Sequence, residues 1–345
     1  MIFLESDGLH HLMVGVLRDK GVNEDSTLHV VRSLVQTSLR GVDSHGINLF
    51  PHYCRAVDGG RISKDPQISI EQTASSTAII DADHALGHHA GAVAMEYATE
   101  LAKKTGVSAI CVKNSTHFGA AAYMALLAAE QDCLGFAFTN ADALVKAFGS
   151  TDAFCGTNPI CFTAPLEKEE PLCLDMATSL VSWNRIANYR RSGNVIPDHW
   201  AFGKDGKSVT DPEEARSLSP IGAYKGFGLG IMIDVLCGVL SKGPVSKDLL
   251  AMYSSPIESK RKIAHFFMAI DIGNFIEISE FKRKLQSMVD RIRELPVLPG
   301  VHKVMVPGDP EKNTFQRRIE EGIPVDEVIF AELVTISADF QQVVK

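Results

Sequence analysis

Apolar residues recur three and four positions apart through the first sixty residues, the period of helices with one buried face. Residues 9–17 form one such stripe and stop before Gly21; Leu28, Val31 and Val35 form a second behind Asn23, which can cap a helix, with Gly41 just beyond its end. A third helix is predicted over 47–57, with Pro51 in its first turn and Gly59 and Gly60 after it. From about residue 67 the pattern shortens to strands with helices between them: QISIE, TAIIDAD, the run of Val107, Ile110 and Val112, then 134–139, 159–163 and 172–176. Helices are predicted through Met95, Tyr97 and Leu101, after Gly119, and from Thr178 to near Gly193. Residues 195–222 read as a Pro/Gly-rich linker. The last third is mainly helical: a buried core helix over 227–240, a returning strand at 263–270, and an amphipathic helix capped by Ser279 with Phe281, Leu285, Met288, Ile292 and Leu295 as its stripe. This order divides the chain into a helical 1–66, a mixed 67–222 and a mainly helical 223–345 that packs back on the first segment around a central sheet.

Composition narrows the class. At 345 residues the chain holds about two domains' worth of core, with 45% hydrophobic and 22% charged residues. A net charge of −8 without a basic run argues against nucleic acid and anionic membranes as partners. The 7 cysteines never form a CxxC pair and sit mostly in apolar runs, which reads as buried thiols in a reducing, cytoplasmic compartment. No N-terminal basic stretch leads into an apolar one, and the 227–240 run is too short to span a bilayer.

The candidate chemistry centres on 107–123, VSAICVKNSTHFGAAAY, where a strand ends in a polar turn and His117 stands beside Gly119. A strand-to-helix loop lies at a sheet rim where ligands bind, and histidine titrates near working pH. A GxGxxG fingerprint is missing: Gly226, Gly228 and Gly230 in KGFGLG lack the spacing and do not follow a strand. Lys225, at the start of that helix, is a candidate anion ligand. His84, His88 and His89, with Asp81 or Asp83, offer metal-ligand types, so a metal-dependent hydrolase or lyase using them and His117 is an alternative of another class; HExxH and partner cysteines are absent. Four polar stretches in apolar surroundings complete the set: DSHG at 43–46, THFG at 116–119, GTNP at 156–159 and DMATS at 175–179.

Taken in order, DSHG, THFG, the TN at 139–140, GTNPICFTAP, LDMATS and YKGFGLGIMIDVLCGVL resemble the type 2 malate/L-lactate dehydrogenase family, which includes ureidoglycolate and sulfolactate dehydrogenases, diketogulonate reductase and piperideine-2-carboxylate reductase. The resemblance spans about 5–335, including PVLPG and VPGDPE. It implies an α+β fold that is not Rossmann, with a largely antiparallel central sheet flanked by helices from both chain ends. It also implies an NAD-linked oxidoreductase, with NADP not excluded, acting on small 2-hydroxy or 2-oxo acids, malate and oxaloacetate first and ureidoglycolate or imino acids next. A homodimer with its active site near the subunit contact is expected. Carried over, His117 is the acid/base residue, and His45 with Ser44 forms the second active-site motif. Asp175, Met176, Ala177 and Lys225 bind cofactor, with Asn140, Thr157 and Asn158 lining the same cleft. Two departures stand out. Leu49 occupies the place of the family's usual arginine, a carboxylate clamp that an aliphatic chain cannot replace, and Arg55 six residues on faces elsewhere. Trp183 and Asn184 stand where small residues are common.

Overall fold

The computed structural model describes residues 1–345. The N-terminal helices form as their stripes predict: α1 (Ser6–Asp19), α2 (Glu24–Leu39) and α3 (Phe50–Asp58), with a 3₁₀ turn at Ile47–Leu49 ahead of the last. Asn23 caps α2 by accepting from the Ser26 N–H at 2.9 Å, a contact worth about 1 kcal/mol. Their apolar faces share one core with Ile323, Val325, Leu333 and Phe340 from the far end of the chain. The strand Ile2–Leu4 pairs antiparallel with Ile323–Val325, so both ends meet in this layer.

The central sheet has seven strands in the order Ser69–Ala74, Thr77–Asp81, Val107–Ser115, Ile263–Asp271, Cys133–Thr139, Ile160–Ala164 and Leu172–Met176. All neighbours are antiparallel except Thr77–Asp81 with Val107–Ser115. Ile263–Asp271 returns from late in the chain to the middle of the sheet, where Phe267 is wholly buried. Helices α4 (Gly87–Thr105) and α5 (Ala121–Ala129) cover one face with small residues. Ala90, Ala94, Ala98, Ala125 and Ala128 bring helix and sheet backbones close enough for Phe118, Phe267 and Met124 to fill the gap.

Three expectations are corrected. The supposed linker carries short strands, Ala201–Phe202, Ser208–Val209 and Ser217–Leu218, which join Val145–Lys146 and Ala153–Cys155 in a second, five-stranded sheet. Three of its strands follow α6 (Trp183–Arg191), and it closes over its own core of Ile186, Ile196, Ala201 and Leu218. The 227–240 run is not fully buried. As α7 (Tyr224–Asp234) and a π-turn at Val235–Val239, it buries Ile233 and Cys237 against the sheet but leaves Met232, Val235 and Val239 exposed. In α8 (Ile278–Arg293) the cap is Glu277, and Gln286 and Val289 are buried while Met288 and Leu295 are exposed. An apolar run fixes that a helix forms, but which face is covered depends on partners the run does not encode. Helices α9 (Asp309–Glu321) and α10 (Glu327–Ile336) complete the chain. No helix is long and apolar enough to cross a membrane.

Candidate active site

A cleft of about 1160 Å³ runs between the helical layer and the central sheet. His117 lies on it in the turn after Val107–Ser115, and the sequence dictates the turn's shape. Gly119 has φ +73°, and a Cβ there would lie 2.6 Å from Nε2 of His88, so only glycine fits. Across the cleft, α3 presents Tyr53, whose buried hydroxyl lies 2.7 Å from His117 Nδ1. The Gly119 N–H also points at Nδ1, from 3.4 Å. With Nδ1 engaged, Nε2 is the nitrogen left for a ligand.

The His45 ring lies 5.7 Å from that of His117, inclined by 24°. Ser44 Oγ sits 2.8 Å from His45 Nδ1 and fixes that ring in the same way. Burial pushes the His45 pKa down to about 4 and drives His117 well below its ordinary value, with the positive fields of His45 and Arg261 adding to the effect on His117. Both rings are neutral near pH 7 and suited to accept a proton.

Arg261 lies at the start of the returning strand, 4% exposed, and lines the cleft. Its Nε donates to the Leu250 carbonyl at 2.8 Å, Nη2 pairs with Asp142, and Nη1 has no protein acceptor. A buried guanidinium with one edge free is a ready site for a carboxylate. Sequence reasoning missed Tyr53, Asp142 and Arg261. Tyr53 stands eight residues after His45 and four after Leu49, a helical spacing that carried a signal, whereas Arg261 was one of several basic residues in SKRK.

The remaining candidates separate into two groups. Asp175, Met176, Ala177, Thr157 and Asn140 line the cleft, as do Leu49, Trp183 and Asn184. Asp175, open to the cleft, accepts from the Ala122 N–H at 2.9 Å; desolvation by the surrounding cleft walls raises its pKa to about 6, the Ala122 N–H opposes the shift and Glu311 adds to it. The Asn140 amide is spent on Pro244 and Ala264. Asn158 lies wholly buried below the cleft, tying Ala141, Gly230 and Ser246 together. Lys225 is exposed at the start of α7 and does not line the cleft, although Ile221 just before it donates to the Thr178 carbonyl at 2.9 Å. Arg55 pairs with Glu332 on the outside of α3. His89 bonds Ser26 and stacks on His29, while His88 packs edge-on against Tyr53, so neither converges with His84, and no group of three or more His, Cys, Asp or Glu side chains is placed to hold a metal ion.

The family model described as malate/L-lactate dehydrogenase matches residues 4–334. The chain belongs to the malate/L-lactate dehydrogenase family. It is 36% identical to a malate dehydrogenase of Pyrococcus horikoshii, covering 97% of this chain and 95% of that protein. It is 31% identical to an NAD(+) ureidoglycolate dehydrogenase of Escherichia coli, covering 96% and 95%. Among solved structures, malate dehydrogenase from Entamoeba histolytica superposes with a TM-score of 0.92 at 30% identity over 98% of both chains. Membership makes the chain an oxidoreductase of 2-hydroxy acids that works with a nicotinamide cofactor, and the cleft geometry can be read for that chemistry.

Proposed function

We propose that this family member moves a hydride between C2 of a small 2-hydroxy or 2-oxo acid and NAD, with malate and oxaloacetate the first pair to test because the 36% identical relative is a malate dehydrogenase. The observation that carries the reading is the Tyr53–His117 contact beside an arginine with a free edge. The residues present fit a dinucleotide: the cleft has the volume, Met176 and Ala177 offer an apolar bed, and Thr157 and Asp175 offer polar groups at its wall. Bound there, the nicotinamide ring supplies or accepts the hydride at the substrate's C2.

The chain's own residues do the rest. Arg261 Nη1 takes the substrate carboxylate and orients C2, which converts a chance encounter into a fixed geometry. In the oxidative direction neutral His117 removes the hydroxyl proton at Nε2, in the tautomer whose Nδ1–H is held by the Tyr53 oxygen at 2.7 Å in place of the long 3.4 Å contact from the Gly119 N–H. In reduction the imidazolium returns that proton to the growing alkoxide, a step typically worth about 10²- to 10⁴-fold. His45 stands as a second ring beside the same oxygen and offers it a hydrogen bond.

The antiparallel sheet offers no doubly wound crevice, which supports a cofactor site of the non-Rossmann kind. Seven free cysteines support a reducing, cytoplasmic location. Lys225, exposed and outside the lining of its own cleft, would reach a cofactor phosphate from the cleft rim or from a second copy of the chain. The test is a 340 nm assay of NADH and NADPH with oxaloacetate, pyruvate, 2-oxoglutarate and a cyclic imino acid, repeated with His117→Ala. Turnover that falls at least about 100-fold in a variant of normal circular dichroism supports the reading. Near-normal turnover in that variant removes His117 from the mechanism.

A further inference from the structure

Away from Arg261 the cleft continues past Asp175 to a second end, walled by Leu126 and Leu127 of α5 and by Pro307 and Pro310 at the start of α9. On the proposed function above, the reacting carbon of the cofactor must lie beside His117. The rest of a dinucleotide then has this end to occupy, with apolar walls for an adenine and room for its ribose.

The charges here are unevenly matched. Arg40 pairs with Glu170 at 2.7 Å and Lys312 with Glu169 at 2.9 Å. Arg293 joins Glu169 at 2.6 Å and also pairs with Asp309. Three cations thus face five carboxylates once Asp290 and Glu311 are counted, and Glu311, which lines the cleft, has neither an ion pair nor a hydrogen bond. Glu130 adds a further acid to the lining and Arg32 a further cation, in no ion pair, whose charge falls on Tyr123 and Glu96 beside α5. A helix start facing a cleft ordinarily welcomes phosphate, but this one is poorly equipped for it. Pro310 has no N–H, and the Asp309 N–H already donates to the Val306 carbonyl at 3.1 Å.

We propose that Glu311 accepts hydrogen bonds from the 2′- and 3′-hydroxyls of the adenosine ribose and makes the enzyme selective for NAD over NADP. A carboxylate is the natural acceptor for a vicinal diol and the natural opponent of a 2′-phosphate. Arg40 and Lys312, the cations on the α9 side of this end, are held by Glu170 and Glu169, and Arg32 lies toward Tyr123 and Glu96 instead.

The experiment measures NADH and NADPH binding by fluorescence, and kcat/KM for both with the best 2-oxo acid of the panel. It compares the parent with Glu311→Gln, Glu311→Lys and, as a charge control on the exposed side of α9, Gln316→Lys. The parent is expected to favour NADH by at least about 100-fold, since placing like charges together costs several kcal/mol. Glu311→Gln should shrink that preference about tenfold through loss of the charged acceptor. Glu311→Lys should bring NADPH level with NADH or ahead of it, and Gln316→Lys should change nothing. A parent that binds NADPH as tightly as NADH, or Glu311 variants with an unchanged ratio, overturns the assignment. NADH binding without turnover of any acid overturns the substrate reading instead, while the binding ratios still decide the role of Glu311. A chain that binds neither nucleotide overturns both.

Discussion

At the residue scale, the site is built from pairs in which one side chain fixes another: Ser44 fixes His45, Tyr53 fixes His117, and Asp142 fixes Arg261. Replacing Tyr53 with phenylalanine keeps the buried ring and removes the partner of Nδ1. We expect kcat to fall about tenfold with little change in KM, the worth of one hydrogen bond acting through His117. A loss confined to KM would assign Tyr53 to substrate binding instead. Leu49 carries a second prediction. It leaves Arg261 as the arginine beside His117, so the distal carboxylate of oxaloacetate meets an aliphatic wall. Leu49→Arg is expected to raise kcat/KM for oxaloacetate relative to pyruvate by one to two powers of ten, from about 1.5–3 kcal/mol for a charge-assisted bond. An unchanged ratio in a folded variant would show that the distal group never approaches α3. His117 was legible because a polar turn with a glycine beside it interrupts apolar sequence, whereas His45 and Leu49 took their meaning from the resemblance carried by DSHG and the residues after it. Arg261 was not, since burial and the partner that leaves Nη1 free depend on Asp142 and Leu250, 119 and 11 residues away.

At the scale of elements, strands and caps were readable and helix faces were not. Leu172–Met176 and Cys133–Thr139 match their apolar runs almost to the residue, and Asn23 caps as its position predicts. The exposed stripes of α7 and α8 show the limit, because amphipathic sequence says only that two faces differ. The start of α4 makes this quantitative. His88, its second residue, is completely buried with neither ring nitrogen bonded, and burial lowers its pKa to about 3. The folded chain keeps this ring neutral, whereas the unfolded chain protonates it below about pH 6.5. Its contribution is therefore present above that value and lost as the pH falls. His45, held at about 4, acts in the same direction. Asp175, raised to about 6, acts in the other, since its folded-state proton favours the native form at low pH and that gain is lost as pH rises through 6. With nine depressed histidines against three raised carboxyls, Glu96, Asp175 and Asp234, stability should fall from pH 6.5 to pH 4. Removing one such ring should blunt the slope: His88→Leu is expected to gain about 2 kcal/mol more at pH 5 than at pH 7.5, one and a half units of unfolded-state titration. Urea unfolding at the two pH values measures this, and an equal change at both would show that His88 titrates alike in the folded and unfolded chain.

At the scale of the whole molecule, the two ends of the chain close one wall of the cleft and the central sheet supplies the other, so the site exists only when distant segments meet. One surface of this assembly remains unexplained by the chain alone. Along α7 and the π-turn, Ile231, Met232, Val235, Val239 and Leu240 are each at least 40% exposed, a contiguous apolar strip on a helix whose opposite side is already buried. Such strips are uncommon on monomers and mark contacts between chains. A second copy is the partner we propose, because the same helix begins with exposed Lys225, which its own cleft does not use. Light scattering should then report a particle of twice the 37.5 kDa chain mass. Val235→Glu with Val239→Glu, placed on exposed positions that the fold does not need, should give a monomer with unchanged circular dichroism and weaker NADH binding if Lys225 serves the partner's cleft. A dimer that persists in this double variant moves the interface elsewhere. A monomer that binds NADH as the parent does keeps the interface but takes Lys225 out of the cofactor site.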